Sequence, residues 1–157
     1  MKNRAPQLLS LTIWLGLTAC GGGELRQPAK QYTAGQYAEA ARGFSEAREA
    51  FPALHAELSL AAANAHLGAD SLEQAERAYL IVQNSVQSRW QSLAQNNLGI
   101  ISIRRERPDQ ALERLKNALL TDPDNAVARY NYELLKRRQG EDPPPPWQPP
   151  PDMPPPP

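Results

Sequence analysis

The feature that most constrains this chain is a pattern of small and large apolar residues that returns at nearly constant spacing. In the stretch 35–52, GQYAEAARGFSEAREAFP, Gly35 is followed by Ala40, Phe44, Ala47 and Pro52. A helical turn takes 3.6 residues, so the two alanines and the phenylalanine share one helix face. The alanines let a neighbouring helix come close, Phe44 fills the gap between them, and Pro52 stops the helix. The order returns as Asp70, Ala75, Tyr79 and Val82, and again as Glu106, Ala111, Leu115, Ala118 and Pro123. The period is 35 and then 36 residues. Repetition at that length implies a solenoid whose units bury apolar faces against their neighbours. The expected fold class is all-α, with about three helix pairs and a closing helix.

Helices are expected near 28–34, 37–50, 53–67, 71–85, 89–105, 108–121 and 124–138. Ser71 with Gln74 three residues on reads as a capping box. Pro108 suits a first helical turn, Asp124 or Asn125 can cap the last helix, and Gly140 can end it. Lys136, Arg137, Arg138 and Gln139 give that end of a solenoid the polar surface it needs. The Lys+Arg and Asp+Glu totals cancel at 17 each, so neither nucleic acid nor an acidic membrane surface is indicated by charge. The lone cysteine excludes an internal disulfide framework and a thiolate metal cluster.

Residues 1–19 read as a targeting segment. Lys2 and Arg4 precede the apolar run Leu8–Leu17, which is about half the length a membrane span needs. The run ends in Leu17-Thr18-Ala19-Cys20. That ending resembles a bacterial lipobox, and the resemblance implies cleavage before Cys20 and lipidation of its thiol. The alternative is a secretory signal cleaved near Ala19 that leaves a free thiol. Residues 20–27 then form a short glycine-rich tether reaching at most about 25 Å. Gly21 rather than aspartate follows the cysteine. By resemblance to enteric lipoprotein sorting, this implies the outer membrane.

Over roughly residues 29–138 the repeat pattern resembles the tetratricopeptide repeat (TPR), a helix–turn–helix unit. Leu98-Gly99 matches the leucine–glycine pair of that family's first helix, where the second unit has Ala62-Ala63, and Gln87 stands where a proline is expected. The resemblance implies that the first helix of each unit lines a concave groove for a protein or peptide partner. Carried over by motif, the groove comprises Leu60, Asn64 and Leu67; Leu93, Asn96, Asn97, Ile100, Ile103 and Arg104; and Val127, Tyr130, Asn131, Leu134, Arg137 and Arg138. Asn64, Asn97 and Asn131 fall where peptide-binding members carry a guest-bonding asparagine. The other reading has these amides bonding their own helices. The lysines of a carboxylate clamp are missing, whereas the arginines could receive an acidic segment.

The residues 122–139 also resemble TPR lipoproteins of Bat-type aerotolerance operons, which implies a role beside MoxR-type ATPases and von Willebrand-A proteins. Pilotin-type TPR lipoproteins, assembly factors for outer-membrane secretins, are the alternative. An enzyme is the third class, but no catalytic constellation is legible, and no cofactor or metal site is expected. His55 and His66 lie about 16 Å apart along one expected helix, too far to share a metal. His66 falls at a position usually filled by a packing aromatic. The domain is expected over 28–140. The remainder, 141–157, is proline-rich around Trp147 and cannot be helical. It reads as a docking peptide, a stiff spacer or a tail without a partner.

Overall fold

The structure is a computed structural model that describes residues 23–140. Among the described residues it is an all-α helical-repeat solenoid with no strand. The helices are α1 (Arg26–Thr33), α2 (Tyr37–Ala50), α3 (His55–Gly68), α4 (Leu72–Gln83), α5 (Ser88–Arg104), α6 (Pro108–Thr121) and α7 (Ala126–Gln139). A 3₁₀ turn at Pro52–Leu54 leads into α3, where a continuous helix from residue 53 was expected.

The recurring apolar pattern is what the helices bury. Ala40, Phe44 and Ala47 of α2, Ala75, Tyr79 and Val82 of α4, and Ala111, Leu115 and Ala118 of α6 are all out of water. Each set packs on the helices beside it. Phe44 joins Leu58 and Ala62 of α3, and Tyr79 joins Leu98 and Ile101 of α5. Leu115 and Ala111 join Leu135 of α7. Gly99 lets α5 approach α6, because a Cβ there would stand 3.0 Å from Leu115 Cγ and 3.4 Å from the Ala111 carbonyl oxygen.

Left-handed backbone marks the repeat. Gly35, Asp70, Glu106 and Gly140 have φ of 77°, 57°, 59° and 76°. Each ends an odd-numbered helix. At the first three, the next amide reaches back to close the helix end: Gln36 N–H to Gln31, Ser71 N–H to His66 and Arg107 N–H to Ser102, at 2.8–2.9 Å. Glycine adopts this backbone freely, whereas Asp70 and Glu106 bear a steric cost of roughly 1–2 kcal/mol each.

Short connections make consecutive helices antiparallel. The solenoid thus has two edges. The turn edge holds the left-handed residues. The loop edge holds the α2–α3, α4–α5 and α6–α7 connections and the start of α1. Beyond sequence neighbours, α3 touches α5 and α5 touches α7, with no comparable contact among α2, α4 and α6. The odd-numbered helices are therefore the inner row.

Two local expectations change, and one that was left between two residues is resolved. Packing begins at Leu25, which is buried in the first core cluster, so the region that precedes the domain ends before residue 27. Ser71 occupies the N-cap of α4, but its side chain makes no capping bond. Asn125, not Asp124, caps α7, its Oδ1 accepting from Ala128 N–H at 3.0 Å. Cys20 and Trp147 lie outside the described residues.

Candidate functional site

The inner row is joined by a chain of amides. Asn131 Nδ2 on α7 donates to Asn96 Oδ1 on α5 at 2.9 Å. Asn96 Nδ2 donates to Asn97 Oδ1 at 3.0 Å. Asn97 Nδ2 donates to Asn64 Oδ1 on α3 at 3.2 Å. The phenol of Tyr79, from α4, donates to that same oxygen at 2.6 Å. Consecutive residues of a helix point about 100° apart. Asn96 and Asn97 can therefore face different neighbours, one toward α7 and the other toward α3.

Burial explains why these groups must pair. Asn96 has no exposed surface, and Asn97 and Tyr79 are buried. A buried amide left without a partner costs about 1–3 kcal/mol. Burial also pushes the Tyr79 phenol well above its usual pKa, so it stays neutral and keeps its proton to donate. The ladder's ends are half-buried: Asn64 Nδ2 and Asn131 Oδ1 make no hydrogen bond among the described residues.

The three asparagines expected to be equivalent are not. Asn97 and Asn131 each lie nine residues before their unit's left-handed residue, and Asn64 lies six before Asp70. Asn64 is thus in the register of Ile100 and Leu134. It joins the ladder because it sits next to Asn97 in space, not because it repeats it.

The other expected groove residues divide by burial. Leu60 is 1% exposed and belongs to the second core cluster, so it is wall material rather than surface. Leu67 and Leu93 are half-buried against the same cluster, and Ile103 is half-buried against the third. Ile100, Val127 and Leu134 are half-buried, while Tyr130 is 65% exposed. Arg104 is not free: its guanidinium donates to the Leu67 carbonyl at 3.2 Å and to Asp70 at 3.0 Å. Arg137 is exposed, with Glu133 at 4.0 Å, and Arg138 is exposed. Among the described residues the inner face presents half-buried aliphatic surface, the Tyr130 ring, two amide atoms without a hydrogen bond, and terminal arginines.

A second polar chain was not legible beforehand. Ser92 Oγ donates to the Ala118 carbonyl at 2.8 Å, and Asn125 Nδ2 donates to Ser92 Oγ at 2.8 Å. Asn125 therefore caps α7 and ties it to α5. The cap could be read from sequence, but its partner, separated by 33 residues, could not.

His66 is half-buried, and desolvation lowers its pKa. No cluster of metal-ligating side chains occurs among the described residues. A shallow cleft of about 430 Å³ lies elsewhere, between α1 and α2, lined by Gln27, Gln31, Glu39, Arg42 and Glu46. None of the described helices is long and apolar enough to cross a membrane. No protein-family model and no curated protein matches the chain.

Proposed function

We propose that this chain is a TPR-type adaptor, held to the outer membrane by lipid on Cys20, that receives a protein partner on its inner helix row. One observation carries the binding part. The amide ladder crosses α3, α5 and α7 and leaves Asn64 Nδ2 and Asn131 Oδ1 open among half-buried aliphatic side chains. A donor at one end and an acceptor at the other suit the backbone of an extended guest, and aliphatic surface supplies affinity. Leu17-Thr18-Ala19-Cys20 supports the anchor. The resemblance of residues 122–139 to Bat-type lipoproteins directs the partner search first to MoxR-type ATPases and von Willebrand-A proteins of the envelope.

A photo-crosslinking residue in place of Tyr130 or Ile100, in the full-length protein in cells, tests the groove against the same residue at the exposed Glu46 of α2. The two inner positions should trap one common partner and Glu46 none. Tyr130→Ala with Leu134→Ala should weaken that capture by roughly ten- to hundredfold, about 1–3 kcal/mol, without changing helical circular dichroism. Trapping at Glu46 alone would move the binding site to the outer row. Cys20→Ser should release the protein from the membrane fraction or leave it unprocessed. A wild-type mature protein without lipid mass at its N-terminus would end the anchor reading.

A further inference from the structure

The two edges of the solenoid expose different chemistry. The turn edge is charged and paired, with Arg104 on Asp70 at 3.0 Å and Arg105 on Glu76 at 2.6 Å. The loop edge holds large apolar side chains in water. Leu80 and Ile81 are in the last turn of α4, Val86 is in the loop that follows, and Leu120 is in the last turn of α6. Val86 is 99% exposed. Single exposed apolar residues are ordinary. Here four of them collect on one edge, and the remaining comparable side chain among the described residues, Tyr130, stands about one turn into α7, close to that edge on the inner row.

The chain's own topology supplies the occupant. α1 runs from Arg26 toward Gly35, so its first residue lies on the loop edge. Leu25 is pinned there by burial in the first core cluster. From Leu25 back to Cys20 is five residues, at most about 18 Å of chain. A lipid on Cys20 brings the loop edge to the bilayer. Gly140, from which the proline-rich stretch continues, lies on the opposite edge.

We propose that the loop edge rests in the membrane interface beside the anchor, with Val86, Leu80 and Ile81 inserted at headgroup depth. The proposal rests on the lipid-anchor reading above. Arg89 and Trp90 come three and four residues after Val86, the guanidinium 5.7 Å from the ring centroid. The exposed Arg89 places a cation at the margin of the apolar tip, which suits the headgroup region, while the Trp90 indole packs inward on the core with its N–H buried. Exposed charges of both signs share this edge, Arg89 and Arg129 with Glu49 and Asp124. The contact is therefore apolar and insensitive to salt. Docked this way, the domain stands on its loop edge, with the inner row rising from the membrane and its arginine-bearing end farthest from it.

The test uses the full-length lipidated protein on vesicles of phosphatidylethanolamine and phosphatidylglycerol. Val86→Cys and, on the turn edge, Glu106→Cys each carry an environment-sensitive fluorophore. Flotation is measured alongside, as an independent readout of the anchor. The Val86 label should shift to the blue on vesicles and lose emission to lipids brominated near the top of the acyl chain, in low and high salt alike. The Glu106 label should keep both its spectrum and its emission. A protein that floats while both labels behave alike keeps the anchor and overturns the docked edge. A protein that does not float overturns both. A shift at Val86 that requires added envelope protein assigns the edge to a protein partner and overturns the lipid assignment.

Discussion

α5 and α6 form one helix pair yet are buried by different rules. α6 buries Ala111, Leu115 and Ala118, a single stripe, and leaves the rest exposed or half-exposed. α5 is touched by α3, α4, α6 and α7. It buries Leu98, Gly99 and Ile101, but also Ser92, Asn96, Asn97 and Ser102. An outer helix meets its burial with periodicity. α5, with neighbours on four sides, has too little surface on water for its polar residues to reach it, so it pairs Ser92, Asn96, Asn97 and Ser102 inside the protein. The comparison places specificity on the inner row and mere helix-to-helix fit on the outer one.

The largest effect should come from forcing the two helices apart. Gly99→Val meets Leu115 at once, and Ala111→Leu fills the same contact. Each should cost about 1–3 kcal/mol, read as a lower melting temperature. Ala126→Leu, at an exposed position, should cost little. Equal melting temperatures for Ala111→Leu and Ala126→Leu would contradict the assignment of the repeat stripe.

Next comes the ladder. Asn96→Ala leaves the buried Asn97 Oδ1 without its donor and the half-buried Asn131 Nδ2 without its acceptor, and should also cost about 1–3 kcal/mol by denaturant unfolding, though without overpacking. Asn131→Ala, at the half-buried end, should cost roughly 1 kcal/mol or less. Similar costs for both would mean that the ladder is not what orders the inner row.

A smaller effect should follow from Tyr79. Its folded pKa is raised by burial, so the folded state holds the phenolic proton more tightly than the unfolded chain does. The contribution is complete below the unfolded tyrosine value of about 10 and is lost as pH rises above it. Tyr79→Phe should cost about 1 kcal/mol at neutral pH and make alkaline unfolding less steep. Tyr32 is raised as well, so some alkaline sensitivity should remain. An alkaline profile unchanged by Tyr79→Phe would remove that phenol from the account.

The smallest change should be a gain. Glu106→Gly relieves left-handed backbone worth about 1–2 kcal/mol but loosens the unfolded chain, for a net stabilisation below about 1 kcal/mol. A loss of stability there would show that the Glu106 side chain contributes more than its exposure suggests.

The outer row was almost fully legible. Ala40, Phe44, Tyr79, Ala111 and Leu115 announced their burial because a helix in contact on one side repeats every three or four residues. Pro108 and Asn125 marked helix starts through local chemistry alone. The inner row was legible only as a group of residues. Asn64, Asn97 and Asn131 were singled out, yet their bonding to one another was not, and Leu60 was placed on the surface when it belongs to the core. Asn96 connects α7 to Asn97, a role that no residue spacing announces.

By itself, then, the sequence determined the helices, the repeat length and the buried stripe of the outer row, since each depends on neighbours within a turn or two. The left-handed backbone at Asp70 and Glu106 was marked only as a recurring position, because glutamate does not favour it and aspartate adopts it only more often than most residues do. Only the tertiary structure decided which polar residues meet. Asn131 and Asn96 are separated by 35 residues, and Asn125 and Ser92 by 33. The same is true of the loop edge, where Leu80, Val86 and Leu120 come to the same side because alternating helices bring their ends there. Helix formation is set by short-range spacing, whereas the partners of a buried amide are set by how separate helices stack.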